Sequence, residues 1–392
     1  MPGPLDGVRI IDLTTMISGP FATMILGDQG ADVIKVESPG TGDLLRYFGT
    51  TRGGLAAFFT TSNRNKRSVV LNLKEPRGVE IVHRLVERAD VFVQNFRPGA
   101  AERMGIGEAV LRELRPDLVY VSISGFGEKG PYAHQRVYDP IIQALSGLAS
   151  TQGDPETGKP SMVRTILPDK LTAVTAAQAI SSALFARERT GKGQHVRLAM
   201  LDSLIAWLWP DGMMNHTYLG DGVTVTPPVS SMNMVFETTN GYITAGALSD
   251  AEWQGLCRAM EREDLLTDPR FGSVADRTKN LEALVGATDD ALKTKTSEEM
   301  LARLDAEDVP SAKILSREEM IDSPQVEANE LLVHHTHPHA GPMREPRPAA
   351  LFDVTPSSIR RPAPALGEHT EEVLEEIGVT DIGSLRAAGV IP

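Results

Sequence analysis

Cysteine is almost missing from this chain: Cys257 is the one example in 392 residues. An intrachain disulfide and a cysteine metal cluster are therefore excluded, and the composition suits a reducing compartment. No apolar run reaches the length of a membrane span, and the opening residues lack a basic stretch followed by an apolar one. A cytoplasmic protein with no membrane partner is expected. Positive charge is scarce too: 39 Lys and Arg stand against 52 Asp and Glu, a formal net charge of -13. This argues against a nucleic-acid partner, which needs a basic face, but leaves room for a small anionic ligand held by a few local cations.

The remainder is ordinary for a globular protein, with 41% hydrophobic and 23% charged residues, and a length that normally divides into two domains. Short apolar segments at 8–13, 31–37, 68–73, 91–94 and 118–122 alternate with helical stretches at 21–26, 78–89 and 108–114. That alternation predicts an α/β fold with a Rossmann-like parallel sheet in a large domain, residues 1–225. The texture changes past Pro227-Pro228. A hairpin around Asn240-Gly241 and helices at 251–262, 281–292, 297–306 and 317–323 predict a smaller α+β domain, 226–330. A Pro-rich C-terminal segment, 331–392, returns to the large domain and ends in two helices, 371–377 and 382–388.

Asp169 follows Pro168 and opens a long Ala-rich helix that closes at Thr190-Gly191-Lys192-Gly193, with a strand at 195–198 behind it. A helix N-terminus favours a carboxylate, so on this stretch alone Asp169 reads as a helix cap or as an acid held for chemistry. Gly125-Phe126-Gly127-Glu128-Lys129-Gly130 matches G-x-G-x-x-G. It follows the fifth strand, however, and Pro131 breaks any helix after it, so a glycine loop near a site fits better than a dinucleotide fingerprint. His334 to His339 holds four of the nine histidines. No cysteine is near, Pro338 points to a surface loop, and no functional metal site is expected. Asn95, Phe96 and Arg97, with Arg103 and Met104 beyond, stand at the carboxyl end of a strand. They read either as cations and an apolar cover for a phosphate-bearing ligand or as surface and core.

Taken together, these stretches resemble the class III CoA-transferases, the family of formyl-CoA and carnitine CoA-transferases and of α-methylacyl-CoA racemases. The resemblance runs nearly end to end. It is carried by LDGVRIIDLTTMISGPFATMILGDQGADVIKVESPGTGDLLR (5–46), SNRNKRSVVLNLKEPRG (62–78), ADVFVQNFRPGAAERMGIG (89–107), SISGFGEKGPY (122–132), YDPIIQALSG (138–147), GKGQHV (191–196), DPRF (268–271) and RPAPALGEHTEEVLEEIG (361–378). It implies that Asp169 is a nucleophile forming an aspartyl–acyl anhydride and then an aspartyl–CoA thioester. CoA would be a substrate rather than a tightly bound cofactor, held by Leu71, Asn72, Lys74, Asn95, Phe96, Arg97, Arg103, Met104 and Arg136. An interlocked, ring-shaped homodimer is also implied.

The same resemblance places Ile17, Tyr138 and Asp139 in the substrate pocket; for the anhydride chemistry, main-chain N–H groups at glycine positions such as Gly125 and Gly127 are expected to face the developing oxyanion. Tyr138 stands where racemases of the family carry a His, which disfavours an isomerase, since tyrosine exchanges protons poorly at neutral pH. Ile17 replaces the Gln of formyl-CoA transferases and makes the pocket more apolar. Arg46 or Arg64 is a candidate partner for the distal carboxylate of a dicarboxylic acid, as in succinyl-CoA chemistry. A racemase and a non-catalytic CoA-binding protein are the competing readings.

Overall fold

A computed structural model describes residues 2–154, 157–226 and 234–392. The chain forms two compact units, one running to Leu208 and resuming at Glu330–Pro392, the other Trp209–Asn329. Pro227-Pro228, where the sequence texture changes, lies outside the described residues.

The first unit is built on six parallel strands. Their order across the sheet is Lys66–Val70, Asp32–Glu37, Arg9–Asp12, Val91–Gln94, Val119–Ser124, His195–Ala199. The first strand of the chain lies inside the sheet, and the winding reverses between Arg9–Asp12 and Val91–Gln94. Such a reversal opens a crevice beyond the carboxyl ends of the two strands, where open α/β sheets bind ligands.

Both sheet faces are covered. On one, Ile11, Ile34, Val69, Phe92 and Tyr120 form a core with Ile81, Val82 and Leu85 of helix Pro76–Val86 and with Val373 and Leu374 near the C-terminus. On the other, Ile10, Val33, Val91, Val119 and Val121 pack with Ala22, Leu26, Ala173, Ala176, Ala177, Ile180, Ala183 and Leu184. The Ala-rich positions recur at helical spacing in Leu167–Thr190, and their small side chains let that helix lie close to helix Ser18–Asp28. Gly191, at φ 68°, ends the long helix in a left-handed cap.

The third strand starts earlier than the apolar pattern predicts. Lys66, Arg67 and Ser68 are buried with Val69 and Val70. The Lys66 ammonium makes this possible by reaching Asp12 Oδ2 at 2.9 Å, the Pro20 carbonyl at 2.8 Å and Asn63 Oδ1 at 2.9 Å. A buried cation with all three donors satisfied is tolerated where an unpaired one is not.

Further along, Leu332–His337 and Gly341–Pro346 pair as an antiparallel hairpin, correcting the expected surface loop at His334–His339. His337 is buried with Nε2 on the Ala363 carbonyl at 2.8 Å, and His335 Nε2 meets Glu345 Oε1 at 2.8 Å. Among the described residues, no group of three His, Cys, Asp or Glu is placed to hold a metal ion. No helix among them is long and apolar enough to cross a membrane.

The second unit carries a three-stranded antiparallel sheet, ordered Ser311–Lys313, Gly241–Ala245, Phe236–Thr238. Helices Asp250–Ala259 and Ser297–Ala306 contribute Trp253, Leu256, Met300 and Leu304 to its core.

Candidate active site

The crevice at the strand reversal holds the candidate site. Its walls come from the loop after Arg9–Asp12 (Thr15, Met16), from Asn95, Phe96 and Arg97, and from the segments around Gly125 and Arg136–Tyr138. Asp169 faces into a cleft of about 260 Å³ and, among the described residues, is the one carboxylate lining it. Phe96, Arg97, Ser124 and Phe126 also border a larger cavity of about 800 Å³ beside it.

Asp169 is not a helix cap. It lies in the first turn of Leu167–Thr190, whose N-cap position is Ile166 with no side-chain cap. The carboxylate instead faces the main-chain N–H and hydroxyl of Ser18, the first residue of the neighbouring helix Ser18–Asp28. The positive end of a second helix thus meets the negative group.

Behind Asp169, the buried Asp139 carboxylate accepts the Asp169 N–H at 3.3 Å and the Gln143 Nε2 at 2.6 Å. Gln143 Oε1 in turn accepts the Val163 N–H at 2.9 Å, tying down the approach to the long helix. Burial pushes Asp169 up to about 6, with the Asp139 charge adding to the rise and Ser18 opposing it. Such a group is still roughly nine-tenths ionised at pH 7. Burial raises Asp139 as well, against the Gln143 bond.

Asn95, Phe96, Arg97, Gly125, Arg136 and Tyr138 line the Asp169 cleft, so the structure brings these together. Arg97, Arg136 and Tyr138 are exposed. The Asn95 side chain is already engaged: it accepts the Thr15 N–H at 3.0 Å and donates to the Thr15 carbonyl at 2.8 Å. Gly127 borders the larger cavity, and its N–H donates to Ser124 Oγ at 3.0 Å rather than standing free for an oxyanion. Gly125 has no room for a side chain, because a Cβ there would lie 2.4 Å from Val137 Cγ1.

Other expected residues are elsewhere. Ile17 is buried with Leu45, Leu55, Phe59 and Ala363, and Met16 takes its place in the cleft wall. Arg46 does not reach the cleft as a free cation: its Nε and Nη2 bond Glu37 at 2.9 and 2.6 Å, and its guanidinium covers the Phe59 ring at 3.7 Å. Arg64 is likewise spent on Asp28 and Glu345. Leu71 is buried in the core, and Asn72 donates its N–H to the Val390 carbonyl and its Nδ2 to that of Gly389. Lys74 and Arg103 are exposed, and Met104 is half-buried with Phe96, Leu73 and Val79 against the core.

Sequence reasoning missed Ser18, because it lies before the expected helical stretch at 21–26 and a lone serine carries no signal of its own. The signal lay in topology: the first helix after the first strand points its N-terminus at the sheet's reversal point.

Known proteins similar to this chain bear on its family. The family model described as CoA-transferase family III matches residues 5–370. Succinyl-CoA:glutarate CoA-transferase of Homo sapiens is 34% identical over 398 aligned positions, covering 99% of this chain and 90% of the relative. Succinyl-CoA:mesaconate CoA-transferase of Haloarcula marismortui is 36% identical, with 98% of each covered. Acetyl-CoA:oxalate CoA-transferase of Acetobacter aceti is 35% identical, with 97% of each covered. A Mycobacterium tuberculosis protein, solved as an aspartate-to-alanine variant, superposes with a TM-score of 0.84 at 31% identity, covering 94% of this chain and 98% of that one. With a match of this length and a shared fold, the chain belongs to the class III CoA-transferases, enzymes for which coenzyme A is part of the substrate.

Proposed function

We propose that this enzyme transfers CoA from an acyl-CoA thioester to a carboxylic acid through covalent intermediates on Asp169. The observation that carries the reading is the position of Asp169: among the described residues the one carboxylate lining the cleft, at the sheet's reversal point, facing Ser18. An Asp169 oxygen attacks the thioester carbonyl, and the C–S bond breaks to leave an aspartyl–acyl anhydride and CoA thiolate. The thiolate attacks the aspartyl carbonyl, releasing the donor acid and leaving an aspartyl–CoA thioester. The acceptor carboxylate attacks that thioester, and the returning thiolate then takes the new acyl group and frees Asp169. No proton is taken up in the sequence, so the ionised form of Asp169 suffices and no adjacent base is needed.

The substrates proposed are succinyl-CoA or a similar donor and a dicarboxylic acceptor. The names of the three relatives support this, as do Arg97 and Arg136, the cations lining the cleft. Phosphates of CoA would meet Lys74, Arg97 and Arg103, with the apolar surface of Phe96 and Met104 under the base. We also assign a homodimer, supported by exposed apolar side chains such as Leu219, Tyr218, Leu351 and Val354. Light scattering should return twice the chain mass. The lone, buried Cys257 fits the cytoplasm.

Intact-protein mass spectrometry after incubation with a panel of acyl-CoAs tests the mechanism. A mass increase equal to bound CoA on the native protein, absent from Asp169→Ala, is expected. No adduct with any donor, together with solvent deuterium entering the α-carbon, would overturn it in favour of an isomerase.

A further inference from the structure

Met16 is a residue with a Cβ in left-handed conformation, φ 67°, two positions before Ser18. That conformation is disfavoured for any residue but glycine and persists only where the surroundings fix it. Here they do so group by group. The Thr14 N–H donates to Asp12 Oδ1 at 2.9 Å, and the Thr14 carbonyl accepts the Lys35 ammonium at 2.7 Å. Asn95 holds both main-chain groups of Thr15. The Met16 N–H itself donates to Asp43 Oδ1 at 3.1 Å.

Asp43 and Lys35 are both fully buried and pair at 2.9 Å. Asp43 therefore anchors the turn in two ways, as acceptor for the strained N–H and as the ionic partner of the lysine that fixes Thr14. Asp43 also caps the short turn Leu44–Tyr47 through the Leu45 N–H at 3.0 Å, which would be its whole role if it were only structural. The loop leaves the turn directly into helix Ser18–Asp28, and a Cβ on Gly19 would lie 2.2 Å from Thr14 Cβ, so little slack remains between the turn and the helix end.

From this chain of contacts we infer that Asp43 is a positioning residue for the transfer reaction, acting through the left-handed turn at Met16 to set Ser18 against the Asp169 carboxylate. The inference rests on Asp169 being the nucleophile. Charged groups around Asp43 are Lys35, Glu37 (whose Oε2 accepts the Asp43 N–H at 3.0 Å), Asp12 and Lys66. Around Asp169 they are Asp139, Lys170 acting on Asp139, and Arg97 and Arg136 across the cleft.

Asp43→Asn is the informative change, because the amide cannot serve both partners. Whichever way it is turned, its NH2 meets either the Lys35 ammonium or the Met16 N–H. The expected result is a roughly tenfold slower single-turnover formation of the covalent CoA adduct at pH 7. The acid limb of that rate should rise by about half a pH unit, as Ser18 ceases to oppose protonation of Asp169. CoA affinity should stay within about twofold. Adding Met16→Gly, which accepts the turn without strain, should recover about threefold or more of the lost rate relative to Met16→Gly alone. Should Asp43→Asn fail to fold, Asn95→Ala releases Thr15 on the other side of the same turn and carries the rate and acid-limb readouts. An unchanged rate and limb, or a lowered melting temperature with no limb shift and no rescue, overturns the assignment. Absence of adduct on the native enzyme would instead sink the nucleophile reading, and this inference with it.

Discussion

Asp139 holds Asp169 by the backbone and repels it by the side chain. Its carboxylate accepts the Asp169 main-chain N–H at 3.3 Å, while its charge, second to burial, helps push the Asp169 carboxyl up to about 6. The two effects serve different ends. The hydrogen bond fixes where the first turn of the long helix begins, and the repulsion keeps the carboxylate a stronger base than a free aspartate. A more basic carboxylate is a better nucleophile, and at about 6 it remains mostly ionised at neutral pH.

Stability should register this arrangement. Asp169 has a folded value near 6 against an ordinary value of 3.8, so folding disfavours its charged form. The associated penalty is absent below the ordinary value and complete once pH has risen through 6. Asp169→Asn should therefore be more stable than the native protein at pH 7.5 by on the order of 1–2 kcal/mol, discounted for solvent around the half-buried site. The gap should close toward pH 4. Urea unfolding at the two pH values measures it, and a gap that widens on acidification would contradict the coupling.

Arg46 gives a second expectation, contrary to its reading as a substrate cation. Removing it strands the buried Glu37 carboxylate, which keeps only the Ser68 hydroxyl at 2.6 Å, the Asp43 N–H and the nearby Lys35 charge. Arg46→Ala should destabilise the protein by about 3 kcal/mol, seen as a fall in melting temperature. The ratio of kcat/KM for dicarboxylic over monocarboxylic acceptors should not change. Arg136→Ala should do the reverse, lowering that ratio about tenfold with little loss of stability. Acceptor competition assays on the two variants decide between them.

The parallel sheet was legible in the sequence because its apolar strands alternate with helices at regular intervals, and Glu108–Leu114, Leu281–Leu292 and Ser297–Ala306 form at the expected residues. Lys66–Val70 starts two residues before the expected 68–73 and ends three before it, and the early start has a physical reason. Its first half is charged, and partners distant in sequence make its burial tolerable: Asp12, 54 positions away, for Lys66, and Asp32, Glu372 and Glu376 for Arg67. Asp169 stood out through its helix, Arg97 through its place at a strand's carboxyl end, and Arg136 through the resemblance. The supporting groups were not legible: Ser18, Asn95 as a clamp on Thr15, and the Asp43–Lys35 pair act through contacts between distant segments, which local pattern does not encode. Arg46 misled for the same cause, since nothing local marks an arginine as already paired.

Gly125 offers the sharpest steric test. The Leu201 N–H donates to its carbonyl at 3.1 Å and fixes the backbone, and a Cβ would stand 2.4 Å from Val137 Cγ1 and 2.8 Å from Val137 Cβ. Relief therefore requires Val137 to move, and Tyr138 and Asp139 follow it in the chain. Asp139 is the residue that holds the Asp169 N–H, so a shift of a few tenths of an ångström passes straight to the nucleophile. Gly125→Ala should lower the rate of adduct formation by roughly ten- to a hundredfold, because small misplacements of a reacting group are expensive in rate. The strand and its cores are untouched, so the melting temperature should fall by only a few degrees. Combining it with Val137→Gly, which removes the Cβ and both methyl groups, should restore much of the rate. If Gly125→Ala alone reacts at the native rate, the segment is slack, and Asp139 does not transmit its position to Asp169.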